Sequence, residues 1–332
     1  MSVRIGINGF GRIGRYATRL LADDQELDLV AVNARADNES LAHLLQYDSV
    51  HGTFRGSVEA NDQGFSVKGK QITVTRKGAG EWVWGDMGVD LVLETTGTFK
   101  DRKTCQPHLD AGAKKVLISA PSKDCDISIV MGVNDQALTP DHTIISNASC
   151  TTNCLAPAAK VLHDSFELQR GTMTTVHSYT MTQRILDGSH KDLRRARAAA
   201  MSMIPTSTGA AQAVGEVIPE LKGKLDGMAI RVPTPNVSLV DLSADLGRKV
   251  TAQEVNAAMQ AASQGELKNI LGYSQEPLVS VDYVGSIYGG VVDALVTTVT
   301  DQSLVKIIVW YDNEAGFTHQ LLRLAKKAAQ LL

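Results

Sequence analysis

Apolar and polar residues along the first half of the chain alternate between two patterns. Short apolar runs of the kind that form buried strands occupy residues 3–8, 27–33, 90–94 and 115–119. Segments with apolar residues three or four positions apart, typical of amphipathic helices, follow the first run through Leu21 and cover residues 101–111. A hairpin meander is predicted over residues 57–75. Strands that alternate with helices predict a doubly wound, mostly parallel sheet.

A glycine motif lies where the first strand passes into the first helix. Gly9, Gly11 and Gly14 have the spacing G-x-G-x-x-G. The first glycine permits a tight turn, the second lets a pyrophosphate approach the backbone, and the third allows close helix packing. A purely structural turn is the alternative, but the strand and helix around the motif predict a Rossmann dinucleotide site. Ligands of such sheets bind at the carboxyl ends of the strands, where polar residues fall: Asn8, Asn33, Thr96 and Ser119.

The end of the second strand carries a signal about the cofactor. An acidic residue normally lies about 20 residues beyond the glycines and binds the adenosine ribose. This chain has Ala34 and Arg35 there instead. Alanine removes the repulsion of a 2′-phosphate, and arginine can pair with one. Arg35 can equally be an ordinary solvated arginine.

The second half of the chain has longer alternating strands, at residues 171–180, 228–232, 238–246 and 291–300. All four are predicted to be antiparallel, with helices near 209–218 and 252–263. We therefore expect an α/β dinucleotide-binding domain over residues 1–149 and an α+β catalytic domain with a largely antiparallel sheet over residues 150–313. The amphipathic helix at residues 314–332 is predicted to pack back on the first domain.

Composition narrows the class of protein. A chain of 332 residues with 43% hydrophobic and 21% charged residues is globular and long enough for two domains. A net charge of −3 gives no general attraction to nucleic acid or to anionic membrane. Four irregularly spaced cysteines do not predict a disulfide framework, and we expect neither a secretory signal nor a membrane-spanning segment. We expect a cytoplasmic enzyme that has no metal site.

One cysteine lies in an unusual setting. Ser149 is a natural N-cap, which places Cys150 in the first turn of a predicted helix over residues 150–166. Free N–H groups and the helix dipole favour a thiolate there, and the polar neighbours favour a reactive site over a buried structural cysteine. A cysteine nucleophile needs a base or an imidazolium. His177, near the end of a threonine-rich strand, is the candidate, although a strand histidine can be structural.

Several residues of the second half are suited to phosphate. A run of basic residues covers positions 190–197 and can be a phosphate-binding loop, a solvated face or, less in keeping with the acidic chain, a nucleic-acid patch. Hydroxyl and N–H donors follow at residues 206–210, and Arg231 lies at a strand end. These features predict a site for small phosphate compounds.

Taken together, these residues resemble phosphorylating glyceraldehyde-3-phosphate dehydrogenases along the whole chain. The resemblance is carried by four segments, at residues 7–15, 146–157, 208–211 and 310–314. It implies that Cys150 attacks the aldehyde of glyceraldehyde 3-phosphate. It also implies that His177 raises the thiolate content, polarises the oxygen of the hemithioacetal and takes its proton. It also implies hydride transfer to NAD(P), a thioester, and cleavage by inorganic phosphate to 1,3-bisphosphoglycerate.

The resemblance implies binding roles as well. The attacking phosphate is held by Ser149, Thr151, Thr208 and Gly209, and the phosphate of the substrate by Thr180, Arg195 and Arg231. Sequence does not separate Arg195 from Arg194 and Arg197. Residues that match cofactor contacts of the family, beside the three glycines and Thr96, are Arg12, Ile13, Arg76, Ser119, Asn313 and Phe317.

Two departures from the NAD-type pattern bear on the cofactor. Ala34 replaces an aspartate, and Gly188-Ser189 replaces a Leu-Pro pair in a loop that reaches a neighbouring subunit in the homotetramer of the family. Both resemble NADP-accepting members, so we expect NADP to be used well, together with NAD. Two alternatives remain: an erythrose-4-phosphate dehydrogenase, against which the stretch at residues 206–209 argues, and a dinucleotide-binding scaffold with a dead site.

Overall fold

The computed structural model describes residues 2–332, which divide into two compact units. The first unit contains the residues up to Ile129 together with Asp135–Ala148 and Leu321–Leu332. The second contains Val130–Asn134 and Ser149–Gln320. Each unit is built around one sheet.

The sheet of the first unit is mostly parallel, as the alternation of strands and helices predicts. Its strands, in chain order, are β1 (Val3–Asn8), β2 (Leu27–Asn33), β3 (Val58–Asn61), β4 (Gly64–Val67), β5 (Lys70–Thr75), β6 (Leu91–Glu94), β7 (Lys115–Ile118), β8 (Ile127–Ser128) and β9 (Ile144–Ser146). Their spatial order is β3-β4-β5-β2-β1-β6-β7-β9-β8. In this spatial order, each strand from β5 to β8 pairs in parallel with the next. Strands β3, β4 and β5 form the predicted antiparallel meander. This doubly wound arrangement confirms the predicted Rossmann class.

This unit has three helices in its described residues, two of which begin after a side chain that caps the N-terminus. They are α1 (Arg12–Leu21), α2 (Asn38–Gln46) and α3 (Arg102–Asp110). The Asp101 side chain accepts a hydrogen bond from Thr104 N, and the hydroxyl of Thr104 accepts one from Asp101 N, which is a capping box. Helix α1 starts instead at Gly11, which has no side chain to cap it.

The sheet of the second unit is mixed and largely antiparallel. Its strands are β10 (Leu168–Ser178), β11 (Ile204–Ser207), β12 (Leu225–Val232), β13 (Ser238–Leu246), β14 (Leu271–Ser274), β15 (Gly290–Thr300) and β16 (Leu304–Tyr311), in the spatial order β11-β12-β10-β13-β16-β15-β14. The prediction that all its long strands are antiparallel is wrong for β12, which runs parallel to β10. Alternation of apolar and polar residues marks a strand but does not encode its direction.

Helix α4 (Cys150–Phe166) is the central helix of the second unit, and both its ends match the sequence prediction. It packs against α5 (Ala210–Val217), against α6 (Ala252–Gln264) and against strands of the sheet. Residues 151–159 are all buried, so solvent-facing positions are lacking over its first turns. A helix enclosed in this way holds its N-terminus, and therefore Cys150, in a fixed place. The last helix, α7, spans Ala315–Ala329.

Candidate active site

Cys150 is the first residue of helix α4, as the sequence predicts. Ala148 has the left-handed conformation, with φ of +53°, and Ser149 returns to an extended backbone. The Ser149 hydroxyl accepts a hydrogen bond from Thr152 N at 3.0 Å, which is the expected N-cap. The turn thus presents the Cys150 thiol at the end of the helix where unpaired N–H groups favour an anion.

His177 lies beside that thiol. It is the penultimate residue of β10, and its Nε2 is 3.6 Å from Cys150 Sγ. Its Nδ1 lies 2.7 Å from the carbonyl oxygen of Ser178. When Nδ1 carries the proton and donates it to this carbonyl, Nε2 presents its lone pair to the thiol. The structure therefore brings together the two residues predicted to be catalytic, in a geometry suited to proton transfer.

Arg231 supplies a positive charge to the same place. It pairs with His177 across the parallel register of β10 and β12. Its Nη1 donates to the Ser178 carbonyl oxygen at 2.9 Å and lies 3.0 Å from His177 Nδ1 and 3.5 Å from Thr180 Oγ1. Its Nε is buried and has no hydrogen-bond partner among the described residues. A buried guanidinium with a spare donor is suited to an anionic ligand.

Burial disfavours the thiolate form of Cys150 and the imidazolium form of His177. It is the largest influence on the Cys150 thiol and raises its pKa, while the charge of Arg231 acts in the opposite direction. Burial, with Arg231 second, lowers the pKa of His177 to about 3. Burial thus favours the neutral forms of the thiol and of the imidazole. The helix terminus and the charge of Arg231 favour a thiolate, and burial opposes one.

Tyr311 completes this cluster, and sequence reasoning did not find it. Its buried hydroxyl is 2.8 Å from the hydroxyl oxygens of both Thr151 and Thr175. Its ring meets that of His177 edge-on, with centroids 5.9 Å apart. Thr151, predicted to hold phosphate, thus turns its hydroxyl toward Tyr311. An aromatic residue at the end of an alternating strand resembles a core residue, so the pattern of β16 gave no signal for this role.

The structure separates the three arginines that sequence could not distinguish. Arg195 is half-buried, and its Nε donates to the hydroxyl of Thr206 at 3.0 Å, while that hydroxyl donates to Asp192 at 2.8 Å. The side chain of Arg197 pairs with Asp187 at 2.6 Å and is largely exposed. Arg194 is exposed as well. Of these three arginines, Arg195 is the one whose charge helps to lower the pKa of His177.

The other residues predicted to bind phosphate lie at loop and helix ends. Gly209 precedes α5, and a side chain added there would meet no atom within 4 Å. The hydroxyl of Thr208 accepts a hydrogen bond from Ala210 N at 3.2 Å. The hydroxyl of Thr180 lies 2.9 Å from that of Thr182. These groups leave backbone N–H donors open at the start of α5.

The glycine loop of the first unit fits a dinucleotide. Gly9 has φ of +95°, and a Cβ on Gly14 would lie 2.2 Å from the Gly9 carbonyl oxygen, so both positions require glycine. A Cβ on Gly11, by contrast, would meet nothing within 4 Å. Open space over this backbone and an uncapped helix start, which includes Arg12 and Ile13, form a cradle of the kind that suits a pyrophosphate. The guanidinium of Arg12 pairs with both oxygens of Asp48.

A buried polar network supports the strand ends next to this loop. The carboxylate of Glu94, 1% exposed, accepts hydrogen bonds from Asn8 Nδ2 at 2.5 Å and from Thr96 N at 2.7 Å. His108 Nε2 lies 3.2 Å from the same carboxylate. The indole N–H of Trp84 donates to His108 Nδ1 at 2.9 Å, which places the imidazole proton on Nε2, facing Glu94. Sequence reasoning named Asn8 and Thr96 but did not find Glu94 or His108.

The residues predicted to choose between NAD and NADP lie apart from such networks. Ala34 is buried at the end of β2, while Arg35 and Ser189 are exposed. Gly188 N donates to Ala196 O at 2.9 Å, which holds the loop of Gly188 and Ser189. Other predicted cofactor contacts are placed as follows: Arg76 donates to Ala36 O at 2.7 Å, Ser119 N donates to Glu94 O at 2.9 Å, and Phe317 is buried in α7.

No helix among residues 2–332 is long and apolar enough to cross a membrane. In the same range, no group of three or more histidine, cysteine, aspartate or glutamate side chains could hold a metal ion.

Comparison with known proteins gives consistent results. The family model for the NAD binding domain of glyceraldehyde 3-phosphate dehydrogenase matches residues 3–102, and that for the C-terminal domain matches residues 149–313. The glyceraldehyde-3-phosphate dehydrogenase of Geobacillus stearothermophilus is 59% identical over 327 residues, which cover 98% of each chain. Glyceraldehyde-3-phosphate dehydrogenase 1 of Bacillus subtilis is 57% identical over 99% of each chain, and the Mycolicibacterium smegmatis protein is 50% identical over 97%. The chain therefore belongs to the glyceraldehyde-3-phosphate dehydrogenase family and is an NAD(P)-dependent oxidoreductase.

Proposed function

We propose that this enzyme oxidises glyceraldehyde 3-phosphate to 1,3-bisphosphoglycerate, reversibly, through intermediates bound to Cys150. The observation that carries the proposal is the placement of Cys150 Sγ 3.6 Å from His177 Nε2 at the start of α4. In this assignment residues 1–149, with the helix at 314–332, form the dinucleotide-binding domain. Residues 150–313 form the catalytic domain.

The oxidation begins with a proton transfer. His177 Nε2 takes the thiol proton as Cys150 Sγ bonds to the aldehyde carbon, and it returns the proton to the oxygen to give a hemithioacetal. His177 then removes the hydroxyl proton as the carbon loses a hydride, which leaves a thioester on Cys150. Bound NAD(P)⁺ supplies the hydride acceptor. Neutral His177 is the form needed at the start of each proton transfer, and its lowered pKa supports this role.

The second half of the reaction regenerates the thiol. An oxygen of inorganic phosphate bonds to the thioester carbon, the C–S bond breaks, and Cys150 leaves as thiolate while the acyl phosphate departs. His177, which holds a proton from the oxidation, can return it to the sulfur. We assign the attacking phosphate to Ser149, Thr151, Thr208 and Gly209. Because the Thr151 hydroxyl faces Tyr311, its backbone N–H is the donor that we assign to the phosphate.

The phosphate of the substrate is assigned to Thr180, Arg195 and Arg231. Arg231 has a buried Nε without a partner in the described chain, and its Nη1 lies 3.5 Å from the hydroxyl of Thr180. Arg195 is oriented by Thr206 and Asp192, unlike its two neighbours. Two guanidinium groups can balance a phosphate dianion.

Initial rates with glyceraldehyde 3-phosphate, measured with and without inorganic phosphate and with NAD or NADP, test this function. We expect the rate of cofactor reduction to require phosphate. A rate that does not depend on phosphate would point to a hydrolytic enzyme of the erythrose-4-phosphate dehydrogenase kind. Absence of turnover together with intact dinucleotide binding would indicate a scaffold protein.

We further propose that NADP is used well, alongside NAD. Ala34 brings no negative charge to the end of β2, and Arg35 and Ser189 offer exposed donors. Ala34→Asp should raise the KM for NADP by roughly tenfold or more while the KM for NAD stays within a few-fold, because a carboxylate repels a 2′-phosphate. Ala36→Asp, at a nearby exposed position, is the matched control. Unchanged NADP kinetics in Ala34→Asp would contradict the proposal, as would a wild-type preference for NAD above about a hundredfold.

A homotetramer is the assembly that we propose, and the segment between β10 and β11 supports it. Large apolar side chains of that segment are more than 70% exposed in the single chain, which is unusual for a surface that meets only water: Met181, Ile185, Leu186, Leu193, Met201 and Met203. Sedimentation equilibrium should give four times the mass of the chain. The free state of all four cysteines agrees with a reducing compartment, and we propose the cytoplasm.

A further inference from the structure

Asn33 is a buried amide that ties three strand ends together. It is the last residue of β2 and is 9% exposed. Its backbone carbonyl oxygen accepts a hydrogen bond from Gly9 N at 2.9 Å, and its Nδ2 donates to Asn8 Oδ1 at 2.8 Å. On its other side, Lys77 N donates to Asn33 Oδ1 at 2.9 Å, and Asn33 Nδ2 donates to Lys77 O at 3.1 Å. This one residue therefore joins the glycine loop to the segment that follows β5.

The orientation of the Asn33 amide is set by backbone groups whose roles cannot change. A backbone N–H can only donate and a carbonyl oxygen can only accept, so the atom that faces Lys77 N is the oxygen and the atom that faces Lys77 O is the nitrogen. The hydroxyl of Thr75 donates to the same amide oxygen at 2.9 Å. A rotation of the amide by 180° would oppose like groups at both contacts with Lys77.

A second series of contacts reaches Asn8 from the opposite side. The indole N–H of Trp84 can only donate, so His108 Nδ1, 2.9 Å away, accepts and Nε2 carries the imidazole proton. That proton faces one oxygen of the Glu94 carboxylate, at 3.2 Å between Nε2 and Oε2, and Thr96 N donates to the other oxygen at 2.7 Å. Both oxygens of Glu94 are therefore acceptors, and the Asn8 atom 2.5 Å from Oε2 is the NH₂ nitrogen.

The two series agree at Asn8, where Glu94 requires the NH₂ group on one side and Asn33 Nδ2 requires the oxygen on the other. Strands β6, β1, β2 and β5 are successive neighbours in the sheet. One continuous chain of hydrogen bonds, here named the edge network, therefore crosses the carboxyl edge of these strands with each amide held in one orientation. Its members are Trp84, His108, Glu94, Asn8 and Asn33.

We propose that Glu94, Asn8 and Asn33 are positioning residues that hold the dinucleotide cradle in one shape. The inference rests on the proposed function, in which the cofactor lies over the carboxyl ends of these strands. The pyrophosphate would lie over Gly11, and the adenosine ribose at the end of β2 beside Ala34, so the spacing between the glycine loop and this strand end matters to both. Backbone that is already held by hydrogen bonds loses little conformational freedom on binding. The edge network therefore acts on cofactor affinity and not on turnover.

Asn33→Leu keeps the approximate volume of the side chain and removes its four hydrogen bonds. We expect the dissociation constants of NAD⁺ and of ADP-ribose, measured by isothermal titration calorimetry, to rise by the same factor of roughly ten, because ADP-ribose contains the adenosine half and the pyrophosphate. The value of kcat at saturating NAD⁺ should stay within about threefold, since the edge network takes no part in the chemistry assigned to Cys150 and His177. Wild-type affinity for both ligands, or a loss for NAD⁺ alone, would overturn the inference.

A matched pair at Thr75 separates positioning from general damage. Thr75→Val has the shape of threonine without the hydroxyl, so Asn33 Oδ1 keeps only Lys77 N as a donor, and the dissociation constant of ADP-ribose should rise about threefold. Thr75→Ser keeps the hydroxyl and should retain the wild-type value. Asn61→Leu makes the same substitution on an exposed strand of the same sheet and should leave both dissociation constants unchanged. If Asn33→Leu does not fold, equal affinities of the two Thr75 variants would refute the role of Asn33.

Glu94→Gln tests the far end of the edge network, where no group is proposed to touch the cofactor. Its amide NH₂ faces donors and disturbs Asn8 or Thr96, so the dissociation constant of ADP-ribose should rise about threefold or more, with kcat little changed. Wild-type affinity in the folded variant would refute the role of Glu94. A wild-type protein that fails to bind NAD⁺ or lacks phosphate-dependent turnover would refute the proposed function itself, whereas the inference alone fails if the wild type does both and the variants bind equally well.

Discussion

The two units present their candidate sites in different ways. The dinucleotide cradle of the first unit is made from neighbouring residues, Gly9 to Gly14, and its surfaces are mainly backbone. The cluster of the second unit is made from side chains of α4, β10, β12 and β16, separated by 27 residues between Cys150 and His177 and by 160 between Thr151 and Tyr311. The first site depends on local chain geometry, and the second depends on strand register.

The two sites also treat buried charge differently. The carboxylate of Glu94 is surrounded by donors from Asn8, Thr96 and His108. The guanidinium of Arg231 keeps a buried Nε without a partner in the residues described here. A satisfied buried charge supports a structure, whereas an incompletely satisfied one is suited to a ligand that completes it. The first unit thus has a satisfied hydrogen-bond network beside its site. The second unit has an unpartnered hydrogen-bond donor within its site.

The largest expected effect concerns the sulfur of the second site. Cys150→Ser should lower turnover by roughly 10⁴-fold or more, because a hydroxyl beside a neutral imidazole is a far weaker nucleophile. Cys154→Ser, one turn further along α4, removes a fully buried thiol that donates to Val309 O, and should keep turnover within about tenfold. Steady-state rates and thermal unfolding of both variants check this. A large loss of turnover in a stably folded Cys154→Ser variant would contradict the assignment of the chemistry to Cys150.

A pair of glycine substitutions tests the claim that backbone geometry forms the first site. Gly14→Ala places a Cβ 2.2 Å from Gly9 O, so it should lower the free energy of unfolding by several kcal/mol, about 2–4. Gly11→Ala meets nothing within 4 Å and should leave stability within about 0.5 kcal/mol. The same methyl group occupies the pyrophosphate cradle, however, and should raise the dissociation constant of NAD⁺ on the order of a hundredfold.

The outcome is read from two measurements. Denaturant unfolding reports the first variant and calorimetric titration reports the second. If Gly11→Ala binds NAD⁺ like the wild type, the pyrophosphate does not lie over this backbone, and the cradle is placed wrongly.

The sequence predicts the conformation of the glycine loop, because G-x-G-x-x-G between strand and helix determines the local backbone. The bounds of α4 and its cap at Ser149 were predictable for the same reason. The direction of β12 was not, since its residues alternate in the same way in either direction. Tyr311 was missed because its role arises only when β16 lies where it can meet Thr151 and Thr175.

Buried polar partners were the other part that sequence could not give. Glu94 ends an apolar strand and His108 lies within a polar helix, and nothing in their spacing indicates that they meet. Ser178 and Ser238 are ordinary strand residues until the register of β10 and β13 brings both to Asn313. Such pairs form only through tertiary packing, which cannot be deduced from the residue pattern of a single sequence.

A smaller effect is expected at the support of the first site. Glu94→Gln replaces one acceptor oxygen by an amide NH₂, which then faces donors, either those of Asn8 and His108 or those of Thr96. We expect a loss of about 1–3 kcal/mol in the free energy of unfolding. Glu59→Gln, on an exposed strand, is the control and should change stability by less than about 0.5 kcal/mol. An unchanged Glu94→Gln variant would show that the network does not support the sheet edge.

The smallest effect tests the electrostatics of the second site. The charge of Arg231 lowers the pKa of Cys150 against the stronger opposing influence of burial. Arg231→Gln removes that charge, so the neutral thiol persists to higher pH and the alkylation rate rises at a higher pH than in the wild type. Arg197→Gln changes an exposed arginine paired with Asp187 and should leave the pH dependence of alkylation unchanged.

Iodoacetamide labelling of Cys150, followed by mass spectrometry between pH 5 and 10, gives the profiles of the wild type and of the two variants. A profile for Arg231→Gln at the wild-type pH or below it would mean that the charge of the arginine does not lower the pKa of the thiol.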